Sequence, residues 1–141
     1  MKLITLNTWG GAIAEPLKKF LTEKGADTDI FCFQEVFNAR SVEENDPINI
    51  KGSNTNLFED MRKILSEHTG IFCSVYEKIY GIAMFVRKGI EIVESGEIVI
   101  YKNDNFAAEA HLDGVDHGRK MQWLCLPWLI CPKMARVLIK I

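Results

Sequence analysis

The chain has 141 residues, a length that suits one domain with a buried core. Its content of 48% hydrophobic and 26% charged residues is typical of a soluble globular protein. A formal net charge of −2 argues against a surface that coats nucleic acid, but not against one local site that binds it. Because no signal peptide precedes the first strand and no apolar run is long enough to span a membrane, we expect a cytoplasmic protein without a membrane span.

The first elements follow a β-α-β order. A first strand is predicted over residues 2–8, and Gly10-Gly11 leads into a helix over about 15–23. A second strand is predicted over 29–35, where the run from Ile30 to Phe33 is continuously apolar. If the two strands are parallel, they should be neighbours joined by a right-handed crossover.

A second helix is predicted over 57–68. Apolar residues and one histidine recur at helical spacing along one face: Leu57, Met61, Ile64, Leu65 and His68. On such a face, His68 is expected to be a partly buried core histidine.

Three strands should follow, over 71–76, 79–86 and 90–100. The Lys88-Gly89 turn predicts that the last two form a hairpin. Cys32 and Cys73 lie in apolar strand runs, and none of the four cysteines shows the CxxC spacing of a metal site. We therefore expect reduced thiols in the core.

Two polar side chains stand where the first two strands end. Glu35 follows a buried strand, and Asn7 ends the strand before it. Carboxylate and amide oxygens suit Mg²⁺, which prefers oxygen ligands, so the two residues predict a metal corner. By spacing alone, a surface carboxylate at a strand end is the better interpretation of Glu35, and Asn7 could instead satisfy a turn through its side-chain amide.

Four segments in order resemble the endonuclease/exonuclease/phosphatase superfamily of metal-dependent phosphoesterases. These segments are LITLNTWGG at 3–11, DIFCFQEV at 29–36, YGIAMFVRKGI at 80–90 and GRKMQW at 118–123. The order of four segments is more specific than any one of them. The resemblance implies half of a four-layer α/β/β/α sandwich, mainly β sheet with two helices on one face. Residues 1–123 would form this N-terminal half and 124–141 a divergent or truncated tail.

The resemblance also implies a site and its chemistry. The family's asparagine and metal-binding glutamate correspond to Asn7 and Glu35, with Mg²⁺ or Mn²⁺ as the cofactor. Arg119 corresponds to a family arginine that faces the active-site cleft, where its guanidinium would suit a substrate phosphate; a surface salt bridge is the alternative for this residue. The implied reaction is hydrolysis of a phosphoester, with nucleic acids, lipid head groups and small phosphoesters all among the family's substrates.

The family's second half is not found in the chain. There is no Asn-x-His or Asp-x-Asn after a strand and no terminal Ser-Asp-His, the segments that carry the family's general base and catalytic histidine. The charge pattern also changes, because all 19 acidic residues precede residue 117 and the tail is basic and apolar. We expect a truncated enzyme with little activity that self-associates through an uncovered sheet face; the alternative is a non-catalytic binding or interaction module.

The loop over 103–118 contains a second group of potential ligands: His111, Asp113, Asp116 and His117. Groups of this kind are more often solvated turn residues than metal ligands, and the family places no ligands there. We therefore do not assign a metal to this loop.

Overall fold

The computed structural model describes residues 1–38, 51–76, 78–99 and 133–140, and the side chains of 1–38, 51–75 and 78–95. The described elements are six strands and two α-helices: β1 (Leu3–Asn7), α1 (Ala14–Gly25), β2 (Ile30–Phe37), α2 (Leu57–Ile64), β3 (His68–Tyr76), β4 (Tyr80–Arg87), β5 (Glu91–Val99) and β6 (Lys133–Lys140). A short 3₁₀ turn, Trp9–Gly11, lies between β1 and α1.

The larger sheet has the strand order β1-β2-β4-β3. β1 and β2 are parallel neighbours, aligned from Leu3 opposite Ile30 to Asn7 opposite Gln34. This pairing confirms the prediction from the β-α-β order, with α1 as the crossover. β4 is antiparallel to both of its neighbours, β2 and β3.

The core lies between the two helices and one face of this sheet. Helix residues such as Leu21 and Met61 pack in one buried cluster with sheet phenylalanines. Phe33 stacks on Phe31 with ring centroids 5.4 Å apart and meets the edge of Phe85 at 5.8 Å. The chain is therefore an α/β fold, a mainly β sheet with two helices on one face, as the sequence predicts.

The predicted hairpin between β4 and β5 is wrong. β4 already has β2 on one edge and β3 on the other, so it has no edge left for β5. The chain turns at Lys88-Gly89, and β5 instead pairs antiparallel with β6 in a separate two-stranded sheet. The Gly-containing turn marked a reversal of the chain correctly but did not specify which strand would be paired.

The second helix is shorter than predicted, and His68 is not on it. α2 ends at Ile64, and Leu65 has a non-helical backbone with φ −90° and ψ 48°. His68 begins β3 and is aligned with Arg87 of β4. Pairing with a distant strand has thus overridden the local helical periodicity, although His68 is buried, at 6% exposure.

Arg87 holds the amino-terminal end of the sheet. Its Nη2 donates to the carbonyl oxygens of Gly25, Ala26 and Thr28 at 3.2, 2.9 and 2.6 Å, which satisfies acceptors at the end of α1. Its Nε lies 3.3 Å from Oδ1 of Asp29. The crossover helix is thereby joined to the start of β2 and the end of β4.

Two further expectations concern the cysteines and membranes. Cys32 and Cys73 lie in strands of the sheet, as predicted, and neither forms a disulfide within the described residues. In the part of the chain that the structure describes, no helix has the length and apolar character needed to cross a membrane.

Candidate active site at the carboxyl end of β1 and β2

The carboxyl ends of β1 and β2 bring Asn7 and Glu35 together. The two strands are parallel, so both chains leave the sheet at the same edge. Nδ2 of Asn7 donates a hydrogen bond to Oε1 of Glu35 at 2.8 Å. The predicted contact between these two side chains is present.

A β-bulge directs Glu35 towards Asn7. The register of β2 against β4 shifts between Phe33 and Val36, so that Gln34 and Glu35 both lie opposite Ile82. Phe33 and Val36 are three residues apart, yet both pack in the same core cluster, which regular alternation would not allow. The bulge therefore supplies the extra residue that leaves the Glu35 carboxyl free to reach the Asn7 amide. Glu35 has φ +57°, a strained value for a non-glycine residue.

Thr8 supports this bulge from the neighbouring strand. Its backbone N–H donates to the Gln34 carbonyl oxygen at 2.9 Å. Its hydroxyl lies 2.8 Å from the Glu35 carbonyl oxygen and 2.9 Å from that of Gln34, so one donor serves both carbonyl oxygens of the bulge. Thr8 is only 5% exposed. Sequence analysis did not identify this residue, and its position directly after Asn7 was the one available signal.

Glu35 is a buried carboxyl group that pairs with no cationic side chain of the described residues. It is 7% exposed, and it forms no ion pair within the described residues. Burial raises its pKa, and the hydrogen bonds from Asn7 and Tyr80 oppose this increase only in part. Tyr80, the first residue of β4, packs on Phe37 with ring centroids 4.8 Å apart. Tyr80 was not predicted to contact Glu35, because the two residues lie far apart along the chain.

The turn after β1 is fixed to Asn7. The Oδ1 atom of Asn7 accepts a hydrogen bond from the backbone N–H of Trp9 at 2.8 Å, so this amide side chain connects the turn to Glu35. Trp9 has φ +49° and Gly10 has φ +60°. A Cβ atom on Gly10 would lie 2.9 Å from the Phe37 ring, so this close approach requires glycine.

The other predicted residues fall into two groups. Gln34 is a hydrogen-bonding neighbour, because its Nε2 donates to Oγ1 of Thr5 at 3.0 Å. Arg119 lies outside the described residues, as does the loop group, His111, Asp113, Asp116 and His117. Among the described residues, no group of three or more His, Cys, Asp or Glu could hold a metal ion.

A solved structure with a similar fold is the endonuclease/exonuclease/phosphatase from Bacteroides vulgatus. The similarity covers 72% of this chain and 36% of that one, with 18% sequence identity and a TM-score of 0.44. This chain thus matches little more than a third of that protein's length. Neither a family model nor a curated protein matches the chain.

Proposed function

We propose that this chain carries part of a metal-dependent phosphoesterase site, namely the part that contains Glu35 and Asn7, with Mg²⁺ or Mn²⁺ as its cofactor. The observation that carries the proposal is the buried Glu35 carboxyl, which a strained bulge holds against Asn7 at the carboxyl end of two parallel strands. Strained residues of this kind are concentrated at functional sites. The resemblance of four sequence segments to the phosphoesterase superfamily supports the same assignment.

The environment of Glu35 fits a cation. A buried carboxylate is costly unless a positive charge or several donors compensate it, and Asn7 and Tyr80 provide two neutral donors. A divalent ion would provide the positive charge that the described residues do not. It would also favour the ionised carboxylate, which burial disfavours.

The chain's own residues have separable roles in this proposal. Glu35 is the metal ligand, and when bound the ion would polarise a phosphoryl oxygen and stabilise charge on the leaving oxygen. Asn7 orients the carboxylate through Nδ2, and its Oδ1 fixes the following turn by accepting from the Trp9 N–H. Thr8 is a positioning residue, because it holds the bulge. Arg119 remains our proposal for the group that binds the substrate phosphate.

Metal binding should be weak and should depend on Glu35. One carboxylate and one amide are too few protein ligands to replace much of the water shell of Mg²⁺. Titration of the purified chain with Mg²⁺ or Mn²⁺ by calorimetry should show weak binding that Glu35→Gln abolishes. The matched control is Glu23→Gln on the exposed side of α1, which should bind as the wild type does. Tight binding that survives Glu35→Gln would place the metal elsewhere, with His111 and Asp116 the first residues to test.

Turnover by the isolated chain should be low. Loss of a general base or of a transition-state-stabilising group commonly costs about 10²- to 10⁴-fold in rate, and the sequence contains neither family segment that supplies them. A Mg²⁺-dependent phosphodiesterase assay tests this expectation. Robust turnover that Glu35→Ala abolishes would contradict the truncation and assign the missing groups to His111, His117 or the tail. Binding without turnover would favour the alternative, a binding or interaction module.

The proposed partner surface is the sheet face opposite the helices. Cys32, Met84 and Ile71 lie side by side on this face and are half-buried, while Leu3 on the edge strand is 54% exposed. Contiguous apolar surface of this kind promotes association. We therefore expect a dimer or larger species in size-exclusion chromatography. A monomer that persists at high concentration would contradict this part of the proposal.

A further inference from the structure

Trp9 occupies a backbone position that does not suit it. A bulky residue with φ +49° is strained, and the chain uses glycine for the same region at the next two positions, Gly10 and Gly11. Packing covers only part of the tryptophan, because 43% of its surface remains exposed. A strained and partly exposed aromatic residue thus occupies a position that a glycine would fit more easily.

The position of Trp9 relative to Glu35 is fixed by Asn7. The Trp9 backbone N–H bonds Oδ1 of Asn7 at 2.8 Å, and Nδ2 of the same side chain bonds Glu35 at 2.8 Å. The Trp9 carbonyl oxygen accepts from the N–H of Ala12 at 3.0 Å, which fixes the other side of the residue. The side-chain amide of Asn7 therefore connects the Trp9 backbone to Glu35, the proposed metal ligand.

We propose that the Trp9 indole is a stacking surface for the planar base of a nucleotide, so that the site takes a nucleotide or the terminal nucleotide of a strand. This inference rests on the proposed function, which supplies the phosphoester chemistry. Indole rings stack on all nucleobases, whatever their sequence. The exposed indole, on a backbone hydrogen-bonded to Asn7, would then select substrates that carry an aromatic group.

The composition of the segment that carries Trp9 favours a short nucleotide ligand over a lipid surface or a long polyanion. The segment from Thr8 to Ile13 contains no lysine or arginine, whereas both membrane surfaces and extended nucleic acids are bound through basic groups. A single ring on a backbone held by hydrogen bonds is also too small for stable membrane binding, which needs a larger apolar face.

Calorimetric titration with two phosphate esters, in the presence of Mg²⁺, tests the proposal. Adenosine 5′-monophosphate carries a base, and ribose 5-phosphate is the matched probe without one. The wild type should prefer the nucleotide. Trp9→Gly should weaken nucleotide binding about 5- to 140-fold and leave ribose 5-phosphate unchanged. Trp9→Phe should restore part of the preference, because its ring can also stack.

Three controls separate stacking from folding. Trp9→Gly accepts φ +49° without strain, which offsets loss of the buried part of the indole, so the variant should stay folded and melt in one cooperative transition. Ile13→Ala removes another apolar side chain from the same region, 51% exposed, and should leave nucleotide affinity unchanged. Vesicles of phosphatidylcholine should not bind the wild type.

Several outcomes would overturn the stacking proposal. These are equal binding of the two probes, no binding of either, an unchanged nucleotide preference in Trp9→Gly, or vesicle binding that depends on Trp9. Its failure is distinguishable from failure of the metal proposal. If both probes keep their affinities in EDTA and in Glu35→Gln, and the nucleotide preference is lost only in Trp9→Gly, the stacking proposal is supported and the metal assignment is contradicted. If binding of ribose 5-phosphate requires both Mg²⁺ and Glu35 but the nucleotide binds no more tightly, the metal proposal is supported and the stacking proposal is contradicted.

Discussion

Each end of the β1–β2 pair carries a carboxyl group, but the pKa of one is lowered and the pKa of the other is raised. At the amino-terminal end, Asp29 accepts a hydrogen bond from the Lys2 backbone at 2.6 Å and lies 3.3 Å from the Arg87 guanidinium. The pKa of Asp29 is lowered, first by the Lys2 backbone hydrogen bond and further by the chain's amino terminus and Arg87. At the carboxyl end, Glu35 is buried with neutral donors, and burial raises its pKa.

This difference in electrostatics indicates that the Asp29 end of the sheet is structural and that the Glu35 end is a candidate functional site. Every charge in the Asp29 and Arg87 group has a partner of opposite sign, and the group joins the elements that meet there. The Glu35 end combines strained backbone, a bulge and a buried acid without a cation among the described residues. Such an arrangement lowers the stability of the apo fold and is therefore better explained by a ligand than by folding. Substitutions at each end can test this contrast.

The largest effect on stability should come from the structural end. Arg87→Met removes the donor to three carbonyl groups and the partner of Asp29, while it keeps most of the apolar stem. We expect a loss of about 2–4 kcal/mol in the free energy of unfolding, because a charged donor to part-buried acceptors is lost. Urea denaturation monitored by circular dichroism measures it.

The matched control for Arg87 is Arg62→Met. Arg62 is an exposed residue of α2 whose guanidinium pairs with Glu59 at 2.9 Å, and such surface pairs contribute about 0–1 kcal/mol. If the two variants lose the same stability, the amino-terminal cluster is not the structural anchor we describe.

An intermediate effect is expected at the bulge. Thr8→Val keeps the shape of the side chain but leaves the displaced Glu35 carbonyl oxygen without the Thr8 hydroxyl donor. The expected loss in the free energy of unfolding is about 1–3 kcal/mol, the cost of an unsatisfied buried acceptor. Weaker Mg²⁺ binding should accompany it, because the bulge positions the Glu35 carboxyl.

Thr22→Val is the control for Thr8. The Thr22 hydroxyl donates to the Lys18 carbonyl oxygen at 2.9 Å on the exposed face of α1, where water can replace it. Its substitution should change stability by less than about 0.5 kcal/mol. Equal effects of the two variants would show that the bulge does not need the buried hydroxyl.

The sequence predicted the features of this fold that local pattern determines. The apolar run before Glu35 identified a buried strand, and the β-α-β order placed its end beside Asn7. Both helices were found because their apolar residues recur at helical spacing. The contact between Asn7 and Glu35 followed from these elements, before any side-chain geometry was known.

The remaining features depend on contacts between residues distant along the chain. His68 continues a helical pattern, but its pairing with Arg87 across the sheet places it in a strand. The bulge changes which side chains share a face, and no periodicity signals it. Tyr80 reaches Glu35 only because β4 returns beside β2. Interactions that close long loops in this way are not encoded in short windows of sequence.

The smallest effect, and the one that compares the two ends directly, is the pH dependence of stability. The pKa of Glu35 is raised in the folded state. At pH values below the ordinary carboxyl pKa, this group therefore stabilises the fold, and the stabilisation is lost as the pH rises through its folded-state pKa. Asp29 has a lowered pKa, so its contribution is present above the ordinary carboxyl range and is lost as pH falls through its folded pKa. The two carboxyl groups should therefore affect stability with opposite slopes against pH.

Thermal unfolding of Glu35→Gln and Asp29→Asn between about pH 3 and pH 8 measures these slopes, with each variant compared with the wild type at the same pH. Relative to the wild type, Glu35→Gln should gain stability as the pH rises, because the amide avoids burying a charge. Asp29→Asn should lose stability relative to the wild type as the pH rises, because only the wild type is stabilised by the ionised Asp29 carboxylate. Saturating Mg²⁺ should reduce the advantage of Glu35→Gln at the upper end, since the ion would bind ionised Glu35 in the wild type alone. Parallel slopes for the two variants would contradict the electrostatic contrast, and an advantage unaffected by Mg²⁺ would argue against Glu35 as the ligand.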